Sequence, residues 1–137
     1  DGYWVGLGSD HTDRVVEATG VTVSKQMCAK PIASTLWRYA DVEDHWDELM
    51  LKSTIIVNGK EEAYQEGPVT TMRDPKELIS LYTDGGELAP GTLMFCGTLA
   101  VSGGVRPGEV FHASLSDAKL NRTINHSYKA ASLPREE

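Results

Sequence analysis

The chain reads as a mostly β, α+β domain with one clear helix, and three observations lead there. Asn58-Gly59 separates two strand-like runs, Asp74-Pro75 opens a short segment with an apolar stripe, and β-prone runs recur between Gly-rich turns toward the C-terminus. At 137 residues the chain is long enough for one domain with a real core and marginal for two. No internal repeat or low-complexity tract divides it.

The elements follow in order. Residues 3–7 are apolar and aromatic and read as a short strand, ending at the polar cluster Gly8-Ser9-Asp10-His11-Thr12-Asp13-Arg14. A helix could begin over 12–18, with Thr12 or Asp10 as its N-cap. Residues 42–51 place Trp46, Leu49 and Met50 at helical spacing, with Asp41, Glu43 and Asp44 near the start, where the helix dipole favours acids. His45 then falls on the surface of that helix. Residues 52–57 are β-rich and Asn58-Gly59 follows, the pair that a type I′ hairpin turn demands because both central residues need positive φ. The return strand is expected over about 60–65. From Asp74 to Tyr82 a helix is expected: Asp74 caps, Pro75 sits at the first helical position, and Leu78, Ile79 and Tyr82 form a stripe. Gly85-Gly86 ends it. Strands are then expected over 92–96, 110–115 and 121–131, and the polar tail 133–137 is expected to fray.

Composition excludes some functions. The net charge is −7, the wrong sign for a protein that draws its affinity from phosphates. No apolar run reaches the roughly 18–20 residues that span a bilayer, so neither nucleic acid nor membrane is expected as a partner. The opening Asp1-Gly2-Tyr3-Trp4 has no basic or apolar leader and no initiator Met. It reads as a cut within a longer protein. Cys28 and Cys96 both have apolar neighbours, which favours reduced thiols in a cytoplasmic protein over a disulfide.

The chemistry concentrates in the first thirty residues. Asp10, His11 and Asp13 could ligate a divalent ion, although one segment rarely supplies every oxygen such an ion needs. They equally suit a capped helix start with solvated neighbours. Lys30 lies among Ala29, Pro31, Ile32 and Ala33. Apolar surroundings would suit acid–base work, but the residues alone favour a packed stem with its head in solvent. Gly97-Thr98 follows an apolar run and could offer an amide and a hydroxyl to an anion, or simply turn the chain. His112 and His126 read as face or core histidines. No phosphate-binding loop, dinucleotide fingerprint or zinc spacing occurs.

Taken together, these segments resemble the fumarylacetoacetate hydrolase superfamily. Residues 8–14 resemble its Asn-Asp-x-(Ser/Thr)-x-Arg motif, and Ala29-Lys30-Pro31-Ile32 falls where the superfamily has its Gly-Lys-Ser-Phe lysine. Val57-Asn58-Gly59 resembles its hairpin, 74–82 its Pro-Glu-Leu-Ile helix and Leu88-Ala89-Pro90-Gly91-Thr92 its Leu-x-Pro-Gly-Asp turn. Phe95-Cys96-Gly97-Thr98-Leu99 resembles the Thr-Gly-Thr-Pro segment, and Arg106-Pro107-Gly108-Glu109 the final Pro-Gly-Asp turn. Residues 9–14 and Ser24-Lys25-Gln26 are most similar to one uncharacterised bacterial branch, the DUF2848 proteins.

The resemblance implies a mixed β-sandwich roll, present here as its C-terminal part, with a single domain over 1–132. It implies Mg²⁺, Mn²⁺ or Ca²⁺ with Asp10 as a ligand. Lys30 and Arg14 would be the catalytic residues, and Gly97 and Thr98 would bind the substrate. The implied reaction is hydrolytic C–C cleavage of a small anionic acylpyruvate-like or 2-oxo acid. Hydratase, decarboxylase and isomerase chemistries are alternatives, as is a non-catalytic binding subunit. A homodimer is implied as well. Two departures stand out: the superfamily's Glu-x-Glu metal pair has no counterpart in 1–7, and Leu99 replaces the proline after Gly-Thr. The first departure points to a missing N-terminal segment as a further partner.

Overall fold

The Asn58-Gly59 turn sets the centre of the fold. In the computed structural model, which describes residues 2–132 and 134, both turn residues have positive φ, 51° and 73°. The turn joins the two longest strands. Among the described residues six strands and two α-helices form: β1 (Trp4–Val5), α1 (Val21–Gln26), β2 (Trp37–Arg38), β3 (Leu49–Val57), β4 (Lys60–Pro68), α2 (Pro75–Thr83), β5 (Val110–Asp117) and β6 (Arg122–Lys129). β1 and β2 pair antiparallel as a small sheet, and the other four make an antiparallel sheet of order β4-β3-β5-β6. The fold is therefore α+β and mostly β, with few helices.

Register decides which residues meet. Leu49, Leu51, Ser53 and Ile55 of β3 stand opposite Asp117, Leu115, Ala113 and Phe111 of β5. Those in turn face Arg122, Ile124, His126 and Tyr128 of β6. This one face carries the buried Leu49, Leu115 and Ile124, which cluster with Leu7, Ala33, Trp37, Tyr39, Val42 and Val69. The opposite face presents Lys52, Thr54, His112, Ser114 and Asn125 around a shallow hollow. Strand alternation thus divides the sheet into a covered face and an open one.

Several expectations change at this level. The helix expected over 42–51 stops early: residues 43–48 form 3-10 turns broken at His45 (φ −136°, ψ 34°). Leu49 and Met50 belong to β3, because the sheet can bury Leu49 completely. The same break turns His45 inward, to 3 % exposure, and so overturns its surface placement. The run 92–96 forms no strand: it pairs with none of the strands described, Leu93 is 58 % exposed and Phe95 lies against Gly8. The helix expected over 12–18 is a 3-10 turn over 16–18, and the cap is Asp13, whose Oδ1 accepts from the amides of Val15 and Val16 at 2.9 Å. Asp74 does cap α2, accepting from the amides of Lys76 and Glu77. Tyr82 of its expected stripe is 73 % exposed. Both cysteines are free and half-buried. No helix among the described residues is long and apolar enough to cross a membrane. Apart from Pro134, which is exposed, the tail expectation for 133–137 lies outside the described residues.

Candidate functional site

The segment after β1 runs antiparallel to residues 31–33. The Ala33 amide donates to the Leu7 carbonyl (2.8 Å) and the Ser9 amide to the Pro31 carbonyl (2.9 Å). Gly8 permits this approach, since a Cβ there would lie 2.8 Å from Ile32 Cγ2 and 3.1 Å from Phe95 Cε1. A larger residue would push apart the three segments that meet there. The pairing brings Lys30 back to the polar cluster although twenty positions separate it from Asp10.

Asp10 is the centre of that cluster. Lys30 Nζ lies 2.9 Å from its Oδ1 and Lys25 Nζ 2.5 Å from its Oδ2. Lys30 also donates to the His11 carbonyl at 2.5 Å, and Lys25 to Thr12 Oγ1 at 3.3 Å. Thr12 Oγ1 donates in turn to the Asp10 carbonyl (2.9 Å). Burial pushes the Asp10 carboxyl up, but the hydrogen bonds and charges of Lys25 and Lys30 more than reverse this and hold it below its ordinary value. All three side chains are about one-third exposed. The cluster sits at a rim.

Lys25 is the member sequence reasoning assigned no role. It reaches Asp10 because its neighbour Ser24 is fully buried and anchors α1. The Ser24 hydroxyl donates to the Val21 carbonyl (2.7 Å) and its own carbonyl accepts the Asp13 amide (3.1 Å). The Ser24-Lys25-Gln26 run was the available signal, but docking of α1 on residues 10–13 is what gives it meaning.

A second polar chain ties the cluster to the main sheet. Tyr128, near the end of β6, lies 3.0 Å from His11 Nδ1 and donates to Ser9 Oγ at 2.8 Å. The His11 and Tyr128 rings also meet edge-on, with centroids 5.7 Å apart. Burial, with the charges of Lys30 and Arg14 outweighing Asp13, lowers the His11 pKa and favours a neutral imidazole. Burial also raises the Tyr128 phenol, against the pull of its bond to Ser9.

The remaining expected site residues lie further out. Arg14 points to solvent, 55 % exposed, and bridges Glu17 at 2.8 Å. Thr98 Oγ1 accepts from Gln65 Nε2 (2.8 Å), whose Oε1 accepts from Ser53. This fixes the loop to β4 rather than to Asp10. Gly97 adopts φ +123° against Met72, a conformation that disfavours any side chain. Phe95, two residues before Gly97, is the link back to Gly8.

Whether these residues suit a divalent ion can be judged from their donors. Mg²⁺ and Ca²⁺ demand about six or more oxygens, with carboxylates prominent. Among the described residues no three His, Cys, Asp or Glu gather into one group, and each Asp10 oxygen holds an ammonium. The donors as arranged do not fit such an ion. A divalent ion at Asp10 would displace both lysines and draw further ligands from outside this cluster.

The family described as a protein of unknown function (DUF2848) matches residues 1–128 of the chain. No curated protein and no solved structure matches it.

Proposed function

Starting from a chain that belongs to the DUF2848 family, we propose that it is a hydrolase of the fumarylacetoacetate hydrolase type, with a mixed β-sandwich roll, cleaving a C–C bond in a small acylpyruvate-like or 2-oxo acid. The observation that carries this reading is the contact between Asp10 and Lys30 at 2.9 Å, the two positions that the resemblance pairs. A four-stranded antiparallel sheet built on the Asn58-Gly59 hairpin, together with the small β1–β2 sheet, suits the roll. A divalent ion and a second copy of the chain belong to the proposal as the resemblance implies them. The ion would supply Lewis acidity, with ligands beyond this cluster, and no step below runs through it.

The chain's own residues have definite parts. Lys30, held by Asp10 and by the His11 carbonyl, offers charge and an N–H to the oxygen that becomes anionic as the bond breaks. Water adds across that bond, hydroxide to the acyl carbon and a proton to the departing enolate carbon. Thr98 accepts from Gln65, so its own O–H is directed to another acceptor, in this reading a more distant part of the substrate. Arg14, paired with Glu17, stands at the outer rim.

The test is a panel of acylpyruvates and 2-oxo acids, assayed with and without Mg²⁺ and Mn²⁺. Turnover is expected, and Lys30→Met should lower kcat about 10²–10³-fold, the usual loss on removing a donor to a developing oxyanion. A folded protein that binds these acids but turns over none would favour a binding subunit, which the incomplete set of metal donors also suits. Turnover unaffected by Lys30→Met would remove Lys30 from the site.

A further inference from the structure

The ammonium groups that make Asp10 a poor cation site make the cluster a good anion site. Each lysine ammonium carries three N–H donors. Lys25 directs one to Asp10 Oδ2 and one to Thr12 Oγ1, and Lys30 directs one to Asp10 Oδ1 and one to the His11 carbonyl. Among the described residues one N–H on each ammonium is left over. Two ammonium groups flanking one carboxylate can both donate to a second. The charges agree, since two cations and one anion leave the triad at +1. Residues 8–33 hold three acids (Asp10, Asp13, Glu17) and three bases (Arg14, Lys25, Lys30), in a chain whose net charge is −7. This rim is thus a region where a small anion meets no excess of acid.

We infer that Asp10, Lys25 and Lys30 form a metal-independent receptor for one small carboxylate, in which Lys25 is a binding residue and Asp10 orients the two lysines. The function proposed above contributes only the expectation that the ligand is a small carboxylate. In this arrangement Asp10 is not a ligand but a counter-charge. It keeps two flexible ammonium groups converged and lowers the attraction that they would exert alone. Buried Ser24 fixes the backbone that carries Lys25, and the Pro31–Ser9 backbone bond fixes the one that carries Lys30. About one-third exposure of all three side chains leaves room for a small ligand to reach them.

The receptor and the metal site differ in the sign of one mutation. The chain is titrated with pyruvate, and separately with acetate, in excess EDTA, following backbone amides by NMR. Pyruvate is expected to shift the amides of 10–12, 25 and 30 without metal. Asp10→Asn should tighten it about fivefold, the effect of one unit charge at ~4 Å in water. Lys25→Gln should weaken it by a similar factor, and both affinities should fall with added salt. Loss of binding in EDTA, restored by Mg²⁺ and abolished by Asp10→Asn, would overturn the receptor and make Asp10 a metal ligand. Were Asp10→Asn not to fold, unchanged affinity in Lys25→Gln would overturn it equally. Acetate bound as well as pyruvate would uphold the receptor while sinking the keto-acid reading. Binding of neither in EDTA overturns the receptor, and the turnover panel then decides the enzyme reading by itself.

Discussion

Asp10 and Asp117 are both carboxylates held between two basic side chains, and they do opposite work. Asp117 is 1 % exposed. Its Oδ1 accepts from His45 Nε2 (2.9 Å) and the Leu120 amide (3.1 Å), its Oδ2 from Arg122 Nε (3.1 Å). Asp117 and Arg122 are register partners across β5 and β6, and the Arg122 guanidinium lies 4.4 Å from the Trp37 ring centroid. His45 is fixed by the core, Arg122 by its strand and the Leu120 amide by the tight turn between β5 and β6. Asp10 instead lies on a loop, one-third exposed, with two flexible lysines that each keep a donor to offer. The difference teaches which polar cluster is a fastener and which is a site: the first closes on a carboxylate buried in the fold, although Arg122 Nη2 has no partner among the described residues, and the second opens outward.

The largest test of this contrast is stability. Asp117→Ala leaves Arg122 and His45 facing an emptied, buried position and should cost about 3–5 kcal/mol in chemical denaturation. Asp10→Ala, with exposed and screened partners, should stay within about 1 kcal/mol. Equal losses would break the distinction. The pH dependence has a definite sign. Burial pushes the Asp117 carboxyl up, but the bonds from His45, Leu120 and Arg122 and the charge of His45 more than reverse this, leaving it below the ordinary 3.8. Its contribution is therefore complete above pH 3.8 and is lost as pH falls below that value through the folded pKa. Acid denaturation of the wild type should show this loss, and Asp117→Ala should flatten it.

The sequence shows the two clusters unequally. The hairpin, α2 and the last two strands were legible because turn chemistry and capping are local. Asp10 and Lys30 were legible as a pair only through motif resemblance. Lys25 was not, because its role depends on how Ser24 docks α1 against residue 13. His45 was misplaced because a single kink decides which way its ring points. The 92–96 run looked like a strand from composition alone. Phe95 packs instead against Gly8, and Leu99 lies near Gly67. Tyr128 had no local signal at all: strand register carries it to His11, 117 positions away.

That bridge gives the middle-sized test. Tyr128 joins the rigid sheet that holds Asp117 to the loop that holds Asp10. Tyr128→Phe keeps the ring contacts with Phe111 and His11 and removes only the hydroxyl. Loss of its bonds to Ser9 and His11 should cost about 1 kcal/mol. Amide exchange should then quicken over residues 8–12 while β5 and β6 hold their protection. Equal exchange in both regions would show that the loop is held by its backbone pairing to 31–33 alone.

The smallest expected effect belongs to Arg14, which the motif places in the site and the geometry places outside it. Its guanidinium is 55 % exposed and already paired with Glu17 three residues on, so its charge is largely compensated before any ligand arrives. An exposed pair at this spacing contributes at most a few tenths of a kcal/mol. Arg14→Ala should therefore shift stability by less than about 0.5 kcal/mol. Its effect on pyruvate affinity should stay well below that of Lys25→Gln, since Lys25 touches Asp10 and Arg14 does not. An Arg14 effect as large as that of Lys25 would mean that the guanidinium leaves Glu17 when an anion binds. In that case the outward-facing cluster would extend to a third cation, and the contrast with Asp117 would rest on mobility more than on exposure.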